Sequence, residues 1–549
     1  MSARLAFVED TARLTDVPLG FDIVALDPFV ALAAPSAISL DAHLDDAELE
    51  ALGEVTFERV DAMCAAMDAS ARWHVQQLKE LFDGLLVRAL GASRLAESVG
   101  VREALLLVRA GSLSAEMLPS VLERAGARVR SIPAAGRPAT ASARPSQGML
   151  AGSRVRVRRA LRRRRPRILC LDEQYNLPAL REALRARGAD PLLWLPPTPK
   201  VQSATVRDDS ALQPLLRIAG VDLWPGAQRH LTELRDHTLF ADAAALRAAA
   251  IAIARDRPDA LLASTYASPL AKAAATAARA AGVPSIVMRH GELGIRDVPL
   301  MRFNDLDVVD HALCWGSWEA AFIERRPLRP VETQVVGAPM IEQAATRAPS
   351  RAALRREFGV GECDRVAMLV TTSLSGEGWY AGRSVPFDLS HARHQIGLAE
   401  ALISVDGLRV FVKEQADDGP LAAWGRTTGP GSAIDFLHGR SFAELVNFAD
   451  VTVLDFPSTT LVQALCGTAR VVVVRHPITA WEPGVLEHLE HHGVRVVAPK
   501  DLAETVLREH GGDVAYSPDA LEPLAASGPG TAAGRAAEAV LEIATRRRR

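Results

Sequence analysis

From Arg167 onward, short apolar runs alternate with longer stretches whose apolar positions recur at helical spacing. Arg167–Leu171, Pro191–Leu195, Asp259–Ala263, Ser285–Met288 and Ala312–Cys314 read as strands. Between them, Leu177–Arg187, Phe240–Arg255 and Pro269–Ala281 read as helices, the first and last stopped by Gly188 and Gly282. Gln334–Val336 and Gly337-Ala338-Pro339 close this series. A second series then starts. Its strands are Arg365–Thr371, Leu408–Val412, Ala433–Phe436, Val451–Leu454, Arg470–Val474 and Val494–Val497. Its helices include Ser350–Phe358, His394–Ile403, one led by Ser441 to Phe448, and Asp501–Arg508, with Ala532–Thr545 last. Strands alternating with helices of roughly ten to fifteen residues predict βαβ units and a parallel sheet.

The front of the chain reads as a smaller α/β unit. Arg4–Val8, Phe21–Leu26, Ile38–Leu40 and Ala104–Val108 predict strands. Asp45 to about Leu90 has helical periodicity, and Ala115–Ala125 predicts a helix ending near Gly126, with Pro119 inside it. Residues 133–152 have the Ala, Pro, Ser and Gly content of a linker, and nine arginines follow from Arg154 to Arg167. The expected layout is a small α/β domain at 1–130 and a linker at 131–165. Parallel-sheet domains follow at 166–345 and 346–525, and a terminal helix with a basic tail at 526–549.

With 549 residues, several domains are expected; 48% apolar and 23% charged residues describe a globular chain. The net charge of −3 implies no whole-molecule attraction to nucleic acid. The five cysteines are scattered without metal-type spacing, which predicts buried thiols in a reducing compartment. No apolar run reaches the ~20 residues of a membrane helix, and the N-terminal MSARLAFVED lacks a signal-like apolar region. The expectation is a cytoplasmic protein. The arginine run admits two readings, a solvated linker or a peripheral contact with anionic lipid at the inner face of the membrane, worth roughly 1 kcal/mol per basic residue.

Candidate chemistry concentrates in a few loops at strand ends. In Ala449–Gly467 a strand ends at Asp455-Phe456-Pro457, and Ser458, Thr459 and Thr460 open a helix. A helix start lined with hydroxyls suits a phosphate; the same residues are also ordinary N-caps. Ser285–Met288 runs into Arg289-His290-Gly291-Glu292, where His290 or Glu292 would serve as a general base or orient one; a surface loop histidine is the plainer reading. Thr372 and Ser373 begin a small, hydroxylated loop after Arg365–Thr371. Lys413, one of five lysines, ends the strand Leu408–Val412, and His438 follows Ala433–Phe436. Each has a plain reading as an exposed loop residue. Ser441 with Glu444 forms a capping box.

The order of these parts resembles the GT-B superfamily of glycosyltransferases and epimerases. More closely, it looks like bacterial capsule polysaccharide transferases and CDP-glycerol glycerophosphotransferases. The stretches that carry the resemblance are the His290-Gly291 loop, Val335–Gln343 and Ser441–Leu465, within about 166–525. The resemblance implies two Rossmann-like domains facing a cleft, preceded here by the small α/β domain. It implies a metal-independent glycosyltransferase without cofactor, using a nucleotide-sugar donor and a carbohydrate or lipid-linked acceptor to build a surface polysaccharide or glycoconjugate. His290 matches its candidate base for the acceptor hydroxyl, Ser458, Thr459 and Thr460 match its hydroxyl-rich donor segment, and Thr372 and Ser373 match its phosphate-side loop; Glu292 on the catalytic side, and Lys413 and His438 on the donor side, are candidates from their own positions in this chain. Relatives carry Lys-x-His-Pro where this chain has Lys413-Glu414-Gln415, and Asp-Tyr-Ser-Ser where it has Asp455-Phe456-Pro457-Ser458. These departures favour a nucleotide sugar over CDP-glycerol. They also keep three alternatives in view: a non-catalytic assembly protein, a polyol-phosphate transferase, and a nucleotide-sugar 2-epimerase-like enzyme.

Overall fold

The computed structural model describes residues 3–34, 36–44, 46–66, 73–109, 112–132, 165–194, 213–218, 220–233, 239–289, 291, 294–295, 305–325, 329–372, 388–414, 420–427, 434–475, 481–509 and 514–546. Three parallel sheets follow one another along the chain. The first holds β1 (Arg4–Val8), β2 (Asp22–Ala25), β3 (Ile38–Ser39), β4 (Glu103–Leu107) and β5 (Arg128–Ser131), in the order β3-β2-β1-β4-β5. The second is built from β6 (Arg167–Cys170) and β7 (Asp190–Leu193). After a two-stranded hairpin, β8 (Arg217–Ile218) and β9 (Val221–Asp222), it continues with β10 (Ala260–Ala263), β11 (Ser285–Val287), β12 (His311–Cys314) and β13 (Glu332–Val335). Its order is β13-β12-β11-β10-β6-β7. The third has β14 (Arg365–Val370), β15 (Leu408–Lys413), β16 (Ile434–Phe436), β17 (Val451–Leu454), β18 (Arg470–Val474) and β19 (Arg495–Val497), in the order β16-β15-β14-β17-β18-β19. The architecture is therefore α/β, with two Rossmann-like parallel-sheet units preceded by a smaller α/β unit.

The central strands are mostly apolar because helices cover both faces. β10 reads ALLA and β17 reads VTVL, and all eight residues are buried. β5 is an edge strand, RVRS, with three of four residues exposed. That polar pattern hides it from a search for apolar runs. The long helical stretch from Asp45 resolves into two helices, Asp46–Ala66 and Val75–Val99. The helix expected from His394 starts earlier, at Asp388, and the one led by Ser441 ends at Leu445.

Two segments join sheets that are distant in sequence. Leu216, Ile218, Leu223, Ala227 and Leu231, around the hairpin and the helix Trp224–Glu233, complete the apolar core of the first sheet. The terminal helix Ala532–Arg546 returns to the second sheet, where Ala536, Val540 and Ile543 pack with Ile168, Leu180 and Ile286. The crossing depends on Gly316: Trp318 N donates to Pro523 O at 3.1 Å, and a Cβ on Gly316 would overlap that carbonyl. Ile295, Trp315, Ala338 and Ile341 share one core with Leu454, Leu461, Val462 and Phe448, so the second and third units meet through packed apolar side chains. Among the described residues, no helix is long and apolar enough to cross a membrane. The Arg154–Arg164 run lies outside them.

Candidate functional site

In an open parallel sheet, ligands sit beyond the carboxyl ends of the strands, where the strand order reverses. In the third sheet that point falls between β14 and β17. Asp455 follows β17 and is buried. Both of its oxygens accept the backbone N–H of Thr372, just past β14, at 2.9 Å. Gln395 Nε2 donates to Asp455 Oδ2 and to Thr372 O, each at 2.7 Å, and His391 Nε2 lies 3.4 Å from Oδ2. Burial alone would raise the Asp455 pKa. Hydrogen bonds from His391, Gln395 and Thr372 outweigh it and hold the carboxyl below its ordinary value. His394, one turn along and stacked on His391 with centroids 6.3 Å apart, is pushed down to about 4, first by burial and then by the neighbouring histidine.

The helix that follows Asp455 spans Thr459–Ala464, only six residues. Its dipole is accordingly small, and local N–H and hydroxyl groups supply whatever polarity the end has. Ser458 caps it: its Oγ accepts from Thr460 N at 3.4 Å and pairs with Thr460 Oγ1 at 2.9 Å. Ser458, Thr459 and Thr460 are half-buried. Lys413 ends β15, half-buried, with Nζ donating to Glu414 O at 2.7 Å. Glu414 occupies the position after it, and its carboxylate takes Leu421 N at 2.9 Å and Ala422 N at 3.0 Å. Its side chain therefore caps the helix Pro420–Thr427. Burial raises the Glu414 pKa, against the pull of those two N–H groups. His438 is exposed past β16, stacked on Phe436.

In the second sheet the reversal lies between β6 and β10. Asp172 accepts Ser264 N at 2.8 Å across it. Arg289, at the end of β11, is fixed at both backbone and side chain. Its carbonyl accepts from Asn176 Nδ2 at 2.8 Å and Trp315 Nε1 at 3.2 Å. Its buried guanidinium pairs with Asp305, and Glu319 lies 3.8 Å away. Asp305 also accepts from Thr265 Oγ1 at 2.8 Å. His290, Glu292 and Ser373 lie outside the described residues. Gly291 is described, and a Cβ built on it would come 3.1 Å from Thr459 Oγ1. The loop after β11 and the hydroxyl-lined helix start are thus in contact across the interface, which Glu482 N also bridges to Ile295 O at 3.0 Å.

The structure therefore brings Gly291, Ser458, Thr459 and Thr460 together and places Thr372 beside them through Asp455. It turns the Thr372 N–H toward Asp455. Sequence reading treated Asp455 as part of a strand break and missed His391 and Gln395. Their signal was a polar pair at i and i+4 near the start of a helix that follows a strand. Among the described residues no cluster of three or more His, Cys, Asp or Glu side chains is arranged to hold a metal. A groove lined by Asp310, His311, Glu324 and Glu332 lies at the amino ends of β12 and β13, on the opposite edge from this site.

No family model and no curated protein matches the chain. Among solved structures it is similar to MnaA of S. aureus in complex with UDP, at 12% identity and a TM-score of 0.43, covering 69% of this chain and 97% of that one. It is also similar to the UDP-GlcNAc 2-epimerase of Neisseria meningitidis bound to UDP-GlcNAc (13% identity, TM-score 0.42, 69% and 100% of the two chains). HepE of Anabaena in complex with UDP-glucose gives 16% identity, a TM-score of 0.37, and coverage of 70% and 98%.

Proposed function

We propose that the chain is a glycosyltransferase that moves a sugar from a nucleotide-activated donor to a hydroxyl acceptor, in building a bacterial surface polysaccharide or glycoconjugate. The observation that supports this reading is the close approach of Gly291, which stands between His290 and Glu292 in sequence, to Thr459 at the hydroxyl-lined helix start. In the proposed reaction, His290 or Glu292 takes the proton of the acceptor hydroxyl. The oxygen attacks the anomeric carbon, and the bond from that carbon to the nucleoside diphosphate breaks. Ser458, Thr459 and Thr460, with Lys413 and the Thr372 and Ser373 hydroxyls, meet the charge on the leaving group. His438 borders the donor side. No metal is required. The Arg154–Arg167 run adds a peripheral contact with an anionic membrane.

A panel of UDP, GDP, CDP, CMP and their sugars, read by thermal shift, tests the donor site. A ligand at 100 times its dissociation constant stabilises by about 2.7 kcal/mol. No response to any nucleotide overturns the reading in favour of a non-catalytic assembly protein. His290→Ala should abolish turnover and keep the nucleotide response; surviving turnover removes His290 as the base. Sedimentation with anionic liposomes, with and without residues 153–167, tests the membrane contact.

A second reading is a nucleotide-sugar 2-epimerase-like enzyme. It requires carboxylates gathered near the sugar. Asp305 and Glu319 do surround Arg289, with Asp172 two strands away, at the end of β6. Appearance of an epimerised nucleotide sugar without any acceptor would select it.

A further inference from the structure

The second and third units are joined twice, on opposite faces of both sheets. Side chains alternate across a strand, which separates the two faces. In the second sheet, Ile168, Cys170, Ala260 and Leu262 share a core with the terminal helix Ala532–Arg546. Leu169, Leu261 and Ala263 point the other way and share a core with Ala249 and Ile253 of the helix Leu239–Asp256. In the third sheet, Met368 and Val370 share a core with Leu524, in the segment that leads to the terminal helix. Ala367 and Leu369 share the opposite core with Leu398 and Leu402 of the helix Asp388–Ile403 and with Leu421 of the helix Pro420–Thr427. The terminal crossing therefore links one face of the second sheet to one face of the third. The helices 239–256, 388–403 and 420–427 cover the other faces.

The first unit spans those other faces. At one end, its buried His74 meets the buried Asp242 of the helix Leu239–Asp256 at 2.7 Å. Leu223, Ala227 and Leu231, which belong to the second unit in sequence, lie inside the first unit's core, so this end cannot leave without opening that core. The other end is lighter. The helix Pro28–Ala33 packs on the helices Asp388–Ile403 and Pro420–Thr427, and Arg393 Nη2 donates to Ala37 O at 2.8 Å. Arg393 is exposed, and Val30 and Ala31 are buried in the first unit's own core. Both helices under this seat serve the candidate donor side. Gln395 of the first holds Asp455 Oδ2 and Thr372 O, and the second is capped by Glu414, next to Lys413. A rotation of the third unit about the terminal crossing displaces the opposite faces relative to each other, and so it works directly against the seat.

We propose that the first unit is a strut that sets the angle between the second and third units. Its fixed end is on the helix 239–256, and its releasable seat is on the helices 388–403 and 420–427. With the seat made, the carboxyl edges of the two sheets are held at one separation; its release lets the units turn about the terminal crossing. The strut stands whether or not the transferase reading holds. The test uses the full chain with the half-buried Cys466 replaced by Ser. Spin labels go on the exposed Cys363 of the third unit and on Arg185→Cys, an exposed position of the second. Their distance distribution is read by double electron–electron resonance, with hydrogen exchange in parallel. Arg393→Ala removes the bond to Ala37, and Arg393→Glu sets a carboxylate against that carbonyl. Exchange in 28–34 and 388–403 should rise by roughly threefold or more in Arg393→Ala, as for loss of a hydrogen bond from a charged group, and further in Arg393→Glu. The label distribution, narrow in the parent, should broaden or shift in both variants. An unchanged distribution in a variant whose exchange has risen overturns the proposal, since the seat is then open and the angle is kept without it. Unchanged exchange in both variants overturns it as well, because the seat is then not a releasable contact. So does a broad distribution in the parent.

Discussion

Asp455 accepts the backbone N–H of Thr372 on both carboxylate oxygens, each at 2.9 Å, and so ties the loop after β14 to the strand end of β17. The candidate donor site stands on this tie. Of its hydroxyl-bearing residues, Thr372 is held in place by this buried charge.

Asp455→Asn should loosen the site as well as the fold. One amide nitrogen then faces donors from Thr372 and Gln395, and a buried polar group is left without a partner. The cost is about 1–3 kcal/mol or somewhat more, given the lost charge. Urea denaturation of the variant should show that loss. Hydrogen exchange should show the Thr372 amide unprotected while β6 and β10 stay protected. Full protection at Thr372 would show that the carboxylate is not what holds the loop.

Acid sensitivity should run through His394. Its folded pKa is about 4, against 6.5 for the unfolded chain. Below pH 6.5 the unfolded state takes up the proton first, so stability falls as pH drops from 6.5 and the loss is complete near pH 4. The amount is on the order of 2–3 kcal/mol for this partly buried group. Asp455 and His391 face it, and Asp455 opposes the shift. Urea midpoints at pH 7 and pH 4.5 should differ less in His394→Gln than in the parent; an equal difference assigns the acid limb to other groups.

Gly291 and Thr459 should be coupled. A methyl on Gly291 would press on Thr459 Oγ1 at 3.1 Å, a contact that the flexible hydroxyl relieves. Gly291→Ala should leave the melting temperature nearly unchanged and weaken nucleotide-dependent stabilisation. Thr459→Ala in the same chain should recover part of that loss. A double-mutant cycle with zero coupling would mean the two loops do not meet in solution.

His74 Nε2 and Asp242 Oδ2 lie 2.7 Å apart and are both buried, joining the first unit to the helix Leu239–Asp256. Removing one member of a buried pair strands the other, which costs about 3–5 kcal/mol. His74→Ala should therefore speed proteolysis between the first and second units. Asp242→Asn, which keeps a hydrogen-bonding group, should do so less. Equal and unchanged cleavage in both would show that the pair does not hold the units together.

The sequence by itself determined most of the strands and helices of the three units, though not the polar edge strand β5 or the hairpin β8–β9, and the strand-end loops that carry the candidate residues. Period-two or continuous apolar runs and helical spacing are local properties, and Gly188 and Gly282 announce helix ends through a positive φ. The cap at Ser441 was legible for the same reason, since Ser441 N donates to Glu444 only three residues away, at 2.9 Å. Only the tertiary structure decided that Asp455 meets Thr372, that Gly291 meets Thr459, and that the segment 213–233 closes the first core. These three join residues more than eighty positions apart. Local spacing carries no record of which strand lies beside which. That choice is made when the sheets close and their helices bury the remaining apolar faces against one another.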